Sequence, residues 1–182
     1  AHGTSGILAA AKAGVTSIEH CTMVDDEGIE YMLKNNVAAV PTLIVLHVLA
    51  DGLSKGVAQS AVDKAAYLLP KHADNIRNAY ERGVRCVFGT DTGTPLGPHG
   101  YQHKEFVYMA EAGISSEDIL LAATRYAAEL LKWEDQIGTI QPGKFADIIA
   151  VKGNPLEDIS SLNRDTISFI MKDGIVYKNE QN

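Results

Sequence analysis

A carboxylate standing where a short apolar run empties into a glycine-rich turn is well placed for chemistry, and Asp91 is such a group. It lies in Gly89-Thr90-Asp91-Thr92-Gly93, directly behind Val84-Arg85-Cys86-Val87-Phe88. A second β-rich run, Val15-Thr16-Ser17-Ile18-Glu19, ends on the imidazole of His20. In α/β proteins the carboxyl ends of parallel strands carry the reactive groups, so two such ends imply one shared site. Imidazole and carboxylate suit a catalytic zinc, which keeps an open position where bound water has a pKa of about 7. An aspartate touching both metal and water can take the proton during attack and return it to a leaving amine.

The elements that must position these groups alternate. Residues 4–13 read as a helix stopped by Gly14, residues 16–20 as a strand, and Asp25-Asp26-Glu27 as the acidic first turn of a helix reaching about Lys34. A buried strand is expected at 37–43, with Pro41 near its exit, then an irregular stretch over 44–59. A helix over 60–82 should be kinked or divided by Pro70 and closed by Gly83, ahead of a strand at 84–88. After a Gly/Pro-rich loop at 92–100 come helices at 103–112 and 116–131, the latter opened by a capping box of Ser115 and Asp118. From residue 137 onward short β runs at 147–151, 167–171 and 175–177 take over, the last two joined by an Asp173-Gly174 hairpin turn. The expected division is an α/β part, 1–136, and part of a small β domain, 137–182. A closed barrel takes eight strand-helix units and about 250 residues; three strands and their helices make roughly half of one.

Composition narrows the partners. With 182 residues, 46% of them apolar, the chain is expected to bury a core. Sixteen basic against 23 acidic residues give a net charge of −7, and the absence of a Lys/Arg-rich run argues against nucleic acid. Cys21 and Cys86 fall on expected buried strands, where free thiols act as small hydrophobes; a reducing, cytoplasmic setting follows. No apolar run approaches the roughly 18 residues of a membrane span, and no signal segment opens the chain, so a soluble protein without membrane contact is expected.

The motifs Ala1-His2-Gly3, Ser17-Ile18-Glu19-His20, Gly89-Thr90-Asp91, Ala122-Ala123-Thr124 and Ile137-Gly138-Thr139-Ile140-Gln141-Pro142-Gly143-Lys144-Phe145-Ala146-Asp147 together resemble the metal-dependent amidohydrolase superfamily. The resemblance covers nearly the whole chain and is strongest to the imidazolonepropionase-like branch that includes Xaa-Pro dipeptidases. It implies an α/β fold, the C-terminal half of a (β/α)8 TIM barrel (about strands 5–8) with part of a flanking β-sandwich. His20 matches the sixth-strand histidine and Asp91 the eighth-strand aspartate. For the fifth-strand ligand the resemblance leaves two positions open, His2 or a residue ahead of Ala1. The implied cofactor is one or two divalent metal ions, zinc foremost, with His20, Asp91 and His2 as ligands and Asp91 as general base.

Other residues receive plainer readings. His47 sits in the expected irregular stretch and His72 on an expected helix surface. His99 and His103 are four apart but lack the intervening glutamate of a His-Glu-X-X-His site. His99 lies in the loop expected to overhang the site and is assigned to substrate contact. Gly138 to Lys144 lacks the hydroxyl residue of a phosphate loop and reads as a structural turn with Lys144 on its surface. The expected activity is hydrolysis of an amide bond, in a dipeptide or a cyclic amide, by metal-activated water. No His-X-His pair occurs in the chain, which keeps a second reading open, a half-barrel that folds and self-associates without turnover; on either reading, apolar strands without their partner strands imply a homo-oligomer.

Overall fold

The parallel strands are assembled about Ala39. In the computed structural model, which describes residues 1–94 and 96–180, strand β1 (Ser17–Glu19) pairs in parallel with β2 (Ala38–Val40), Ile18 opposite Ala39. On its other side Ala39 donates to the Arg85 carbonyl (2.9 Å) and accepts from the Val87 N–H (2.8 Å), a parallel bridge to Cys86. All of β2 is buried, as a strand covered on both faces must be. The strands expected at 16–20 and 37–43 are therefore three residues each, and the one expected at 84–88 is reduced to that single bridge. Its ends are bonded elsewhere: the Val84 N–H to the Ala79 carbonyl (2.9 Å) and the Phe88 N–H to the Ala122 carbonyl (3.2 Å). Pro95, within the expected 92–100 loop, and residues 181 and 182, at the end of the expected β domain, lie outside the described residues.

Helices α1 (Thr4–Ala13) and α2 (Asp26–Lys34) fall where expected. Gly14 ends α1 in left-handed backbone, and the Asp25 carboxylate caps α2 by accepting the Gly28 N–H (2.9 Å). The stretch after β2 is not irregular: it is helix α3 (Leu43–Ala50) followed by a 3₁₀ turn (Gly52–Lys55). Leu-Ile-Val-Leu-His-Val-Leu-Ala has almost no polar face, so no helical period announces it. Helix α4 (Gln59–Glu81) runs unbroken through Pro70. Pro70 and Ala66, whose carbonyl loses its donor, are both exposed, so solvent can satisfy the freed group.

Helix α5 (Lys104–Glu111) agrees with expectation, but the single helix expected at 116–131 is two, α6 (Ser116–Ala123) and α7 (Arg125–Leu130). The Thr124 hydroxyl bonds back to the Leu120 carbonyl (2.6 Å), and the break leaves the Ala122 carbonyl for the Phe88 N–H. Ser115 caps α6 by accepting the Asp118 N–H (3.1 Å). Asp118 answers the Ser115 hydroxyl (3.0 Å) and the Tyr80 phenol (2.6 Å) rather than a backbone N–H, so half of the capping box forms.

Strands β3 (Ile148–Val151), β4 (Ile167–Lys172) and β5 (Ile175–Asn179) make an antiparallel sheet in that order, with Asp173 and Gly174 both left-handed in the β4–β5 turn. Ile159 and Leu162, between β3 and β4, are buried in the same core as Ile7, Ile29, Met32 and Ile76. Lys144 is not a free surface cation: its ammonium donates to the Thr139 hydroxyl (2.7 Å) and to the Glu134 and Ile137 carbonyls, closing the 137–144 turn. Among the described residues no helix is long and apolar enough to cross a membrane.

Gly138 takes φ +87°, and a Cβ there would lie 2.5 Å from the Ala128 Cβ and 3.0 Å from the Thr124 carbonyl oxygen. Gly143, at φ +91°, faces open space. Alanine at either position incurs the left-handed strain of about 1–2 kcal/mol, but only at 138 must α7 also move. Gly138→Ala is expected to lose at least about 1 kcal/mol more stability than Gly143→Ala, the cost of overpacking, in denaturant unfolding. Equal losses would show that the contact relaxes freely.

Candidate active site

All three parallel segments leave the sheet at the same end, and each does so through left-handed backbone. His20 and Cys21 have φ of 68° and 53°, Thr42 51° and Asp91 51°. Such a conformation is strained for any residue with a Cβ and most so for β-branched Thr42. Side chains from α4 hold the first exit. His72 donates Nε2–H to the His20 carbonyl (2.6 Å), and Asn75 donates to the Thr22 carbonyl (2.9 Å). At the last exit Gly89 passes over Val40, whose Cγ1 would lie 2.4 Å from a Cβ at position 89.

His72, expected on a helix surface, is thus 1% exposed. Burial pushes its imidazole down to about 4, so it is neutral with the proton on Nε2. Its buried Nδ1 has no hydrogen-bond partner among the described residues. The face of α4 that carries His72, Ile76 and Ala79 is the one turned inward.

The Nδ1 of His20 lies 2.6 Å from the Thr42 hydroxyl oxygen, which is itself 2.7 Å from the Pro41 carbonyl. A carbonyl can only accept, so the hydroxyl proton goes to Pro41 and the hydroxyl oxygen accepts from His20 Nδ1–H. Nε2 then keeps its lone pair, the tautomer of a metal-binding imidazole whose other nitrogen is held by a partner. His2 stacks on His20, ring centroids 4.3 Å apart and planes within 11°, with its own Nδ1 2.9 Å from the Thr22 hydroxyl. Burial lowers both imidazoles from their ordinary range, and the Asp91 carboxylate opposes it at both rings. His2, His20 and Asp91 therefore share one rim, the imidazoles neutral and able to ligate. Among the described residues no three His, Cys, Asp or Glu side chains already close into a cation-holding group. The donor chemistry fits part of a metal's shell.

A cavity of about 770 Å³ opens beside Asp91. Ile44, Val45, Val48 and Leu49 of α3 form one wall; Thr90, Thr92, Leu96 and Pro98 belong to the opposite loop, and Lys55, Tyr101 and Lys104 are also among the lining residues. His99 is exposed on that loop and is not among the lining residues, although its neighbour Pro98 is. His47 is on α3 rather than in an irregular stretch, half-buried and stacked on Tyr108 at 3.6 Å. Cys21 and Cys86 are free, and burial pushes both thiols up to about 12, which leaves them inert at neutral pH.

The amidohydrolase family model matches residues 1–176. The chain belongs to the amidohydrolase family. Within that family it is 31% identical over 180 residues to the ochratoxinase of Aspergillus niger, covering 97% of this chain and 37% of that protein. It is 32% identical over 158 residues to the imidazolonepropionase of Caldanaerobacter subterraneus subsp. tengcongensis, covering 86% of this chain and 33% of the relative. Among solved amidohydrolase-fold structures, a Xaa-Pro dipeptidase with methionine bound in its active site superposes with a TM-score of 0.87 at 43% identity, over 98% of this chain and 44% of the dipeptidase. A prolidase complexed with N-methylphosphonate-L-proline gives 0.87 at 29%, with the same coverage. The chain thus spans less than half the length of these relatives.

One group at the rim left no trace in the sequence pattern. Glu105, on α5, is fully buried; its two carboxylate oxygens accept the Leu43 N–H (2.9 Å) and the Ile44 N–H (2.7 Å) at the start of α3. Burial pushes its carboxyl from the ordinary 4.5 up to about 8, against the pull of the two N–H donors. Between those two values the folded chain holds a proton that the unfolded chain has released. This contribution to stability is therefore complete below pH 4.5 and lost as pH rises through about 8. The stability difference between the native chain and Glu105→Gln, followed by urea unfolding, is expected to move in favour of the glutamine variant over that window. A pH-independent difference would contradict the assignment.

Proposed function

We propose that this amidohydrolase chain carries a metal-dependent amide-hydrolysis site in which His20 and His2 hold a divalent ion, zinc foremost, and Asp91 is both ligand and general base. The observation that carries the reading is the His20–Thr42–Pro41 relay, which leaves His20 Nε2 unprotonated on the rim that Asp91 also faces. The bound ion would supply a water ionised near neutrality and polarise the amide carbonyl. Asp91 would accept the proton that the water gives up on ionising and return it to the amide nitrogen as the C–N bond breaks. The α3 wall of the cavity receives an apolar flank of the substrate, and Lys55 and Lys104 attract a carboxylate carried by it. A dipeptide or another amide with a free carboxylate has that shape, which agrees with the dipeptidase, prolidase and ochratoxinase among the relatives. The free, inert thiols support a reducing, cytoplasmic setting.

With zinc supplied, Asp91→Asn is expected to lower kcat on an apolar dipeptide by about 10²–10⁴-fold, the usual worth of a general base. Lys55→Ala and Lys104→Ala should raise KM for a free dipeptide and leave its C-terminal amide unaffected. Hydrolysis that survives Asp91→Asn would sink the mechanism. Zinc-loaded chain that cleaves none of these substrates would favour the second reading, a folded half-barrel without turnover, for which the unclosed donor set speaks.

Self-association belongs to the same proposal. Among the described residues the parallel sheet is two strands and one bridge, and sheets this small leave edges open to pairing with a second copy. Light scattering should return more than the 19.6 kDa of a monomer; the monomer mass across micromolar concentrations would refute it.

A further inference from the structure

Helix α3 begins with N–H groups that have no partner within the helix, and Thr42, immediately before them, is of a type that commonly caps. It does not cap here. Thr42 sits at φ 51°, ψ 44°, makes no side-chain bond to α3, and spends its hydroxyl on Pro41 and His20. The Leu43 and Ile44 donors are met instead by Glu105, a carboxylate 62 and 61 residues further along the chain. Neither burial nor capping alone accounts for a carboxylate at this position. An apolar side chain would fill the site without the cost of desolvating a carboxyl, and the threonine already present could cap if its backbone were extended.

We propose that Glu105 is a positioning residue: by capping α3 in place of Thr42, it keeps Thr42 in its left-handed conformation with the hydroxyl oxygen turned to His20 Nδ1–H. Two local demands compete for one hydroxyl, the orphan donors of α3 and the imidazole of His20. Glu105 removes the first, so the second prevails. The consequence is a His20 fixed in the Nδ1–H tautomer with Nε2 bare. The significance of this rests on the reading of His20 as a metal ligand, but the arrangement is measurable without metal, substrate or turnover.

The test is NMR on the ¹⁵N-labelled chain, reading amide exchange at Leu43 and Ile44 and the nitrogen shifts of the His20 ring. In the native chain both amides should be protected although they are first-turn amides, and His20 should be a single Nδ1–H tautomer. In Glu105→Gln one carbonyl remains for two donors; compared with the native chain above pH 8, where the carboxyl is ionised, exchange at the pair should be faster by about tenfold to a hundredfold, the worth of one hydrogen bond to a charged carboxylate. In the same variant His20 should become a mixture of tautomers, as in Thr42→Val, whereas Thr42→Ser should keep the native ring signature. If Glu105→Gln does not fold, Glu105→Asp, which withdraws the carboxyl by one methylene, is read by the same two signals. Faster amide exchange with an unchanged His20 ring would overturn the proposal and leave Glu105 a cap only. So would a Thr42→Val chain in which His20 keeps its single tautomer, or native amides that exchange as freely as those of an uncapped helix. Failure to hydrolyse amides would count against the proposed function and leave these readings intact.

Discussion

The Thr42 hydroxyl has one proton, and where that proton goes decides what the rim can do. Given to the Pro41 carbonyl at 2.7 Å, it leaves only lone pairs for the His20 ring 2.6 Å away. His20 must then be the donor through Nδ1, and its other nitrogen is free to bind. Were the hydroxyl turned to the ring instead, His20 would hold its proton on Nε2 and present a donor there rather than an acceptor. The orientation depends on left-handed backbone at a β-branched residue, which persists only where surrounding contacts over-determine it. Those contacts reach in from helices: Glu105 on the amides just after Thr42, His72 on the His20 carbonyl, Asn75 on the Thr22 carbonyl.

The sheet itself does little of this holding. Strands of three residues supply few ladder bonds, and the third segment touches β2 through one bridge. Its alignment comes from the helix termini at either side, the Ala79 carbonyl for Val84 and the Ala122 carbonyl for Phe88. The break at Thr124 between α6 and α7 therefore bears on the site: a continuous helix would engage the Ala122 carbonyl internally and remove the partner of the residue that leads to Gly89 and Asp91. Beneath the rim, fully buried Ile7, Ile29, Met32, Ile76, Met109 and Ile119 join α1, α2, α4, α5 and α6 into one core. At about 1.5–3 kcal/mol for each such side chain buried, packing dominates stability and the polar contacts set geometry.

The placement of His20 and Asp91 just beyond two apolar runs was legible in the sequence, because parallel segments leave a sheet at one end. The carriers of their geometry were not. Thr42 looks like a strand exit or a helix cap, and nothing local says that its hydroxyl meets a ring 22 residues back. His72 and Glu105 sit on amphipathic helices where a polar residue normally marks the wet face, and only tertiary contact shows that both point inward. The helix α3 failed to announce itself for the complementary reason: an element apolar all round has no period. Pro70 misled because its cost depends on whether solvent reaches the carbonyl one turn earlier, which the chain order does not encode.

The two walls of the cavity differ in how they are fixed, and that difference bears on what each can contribute. Helix α3 is tied down at its first turn by Glu105 and across its length by α4, against which most of its contacts are made. The facing loop carries its own turn, with Gly93 bonded to the Gly97 carbonyl and Gly97 to the Thr94 carbonyl, around the left-handed Asp91 and Gly93. A rigid apolar wall discriminates by shape, since one unfilled or overfilled methylene costs on the order of 1–3 kcal/mol. The facing loop carries Asp91 among both polar and apolar residues, Thr90, Thr92, Leu96 and Pro98. In a chain of net charge −7, Lys55 and Lys104 bring positive charge to the lining of the cavity that Asp91 also borders. On the proposed function, an anionic group on the ligand would be drawn to that side and its apolar part to α3, with the amide between them.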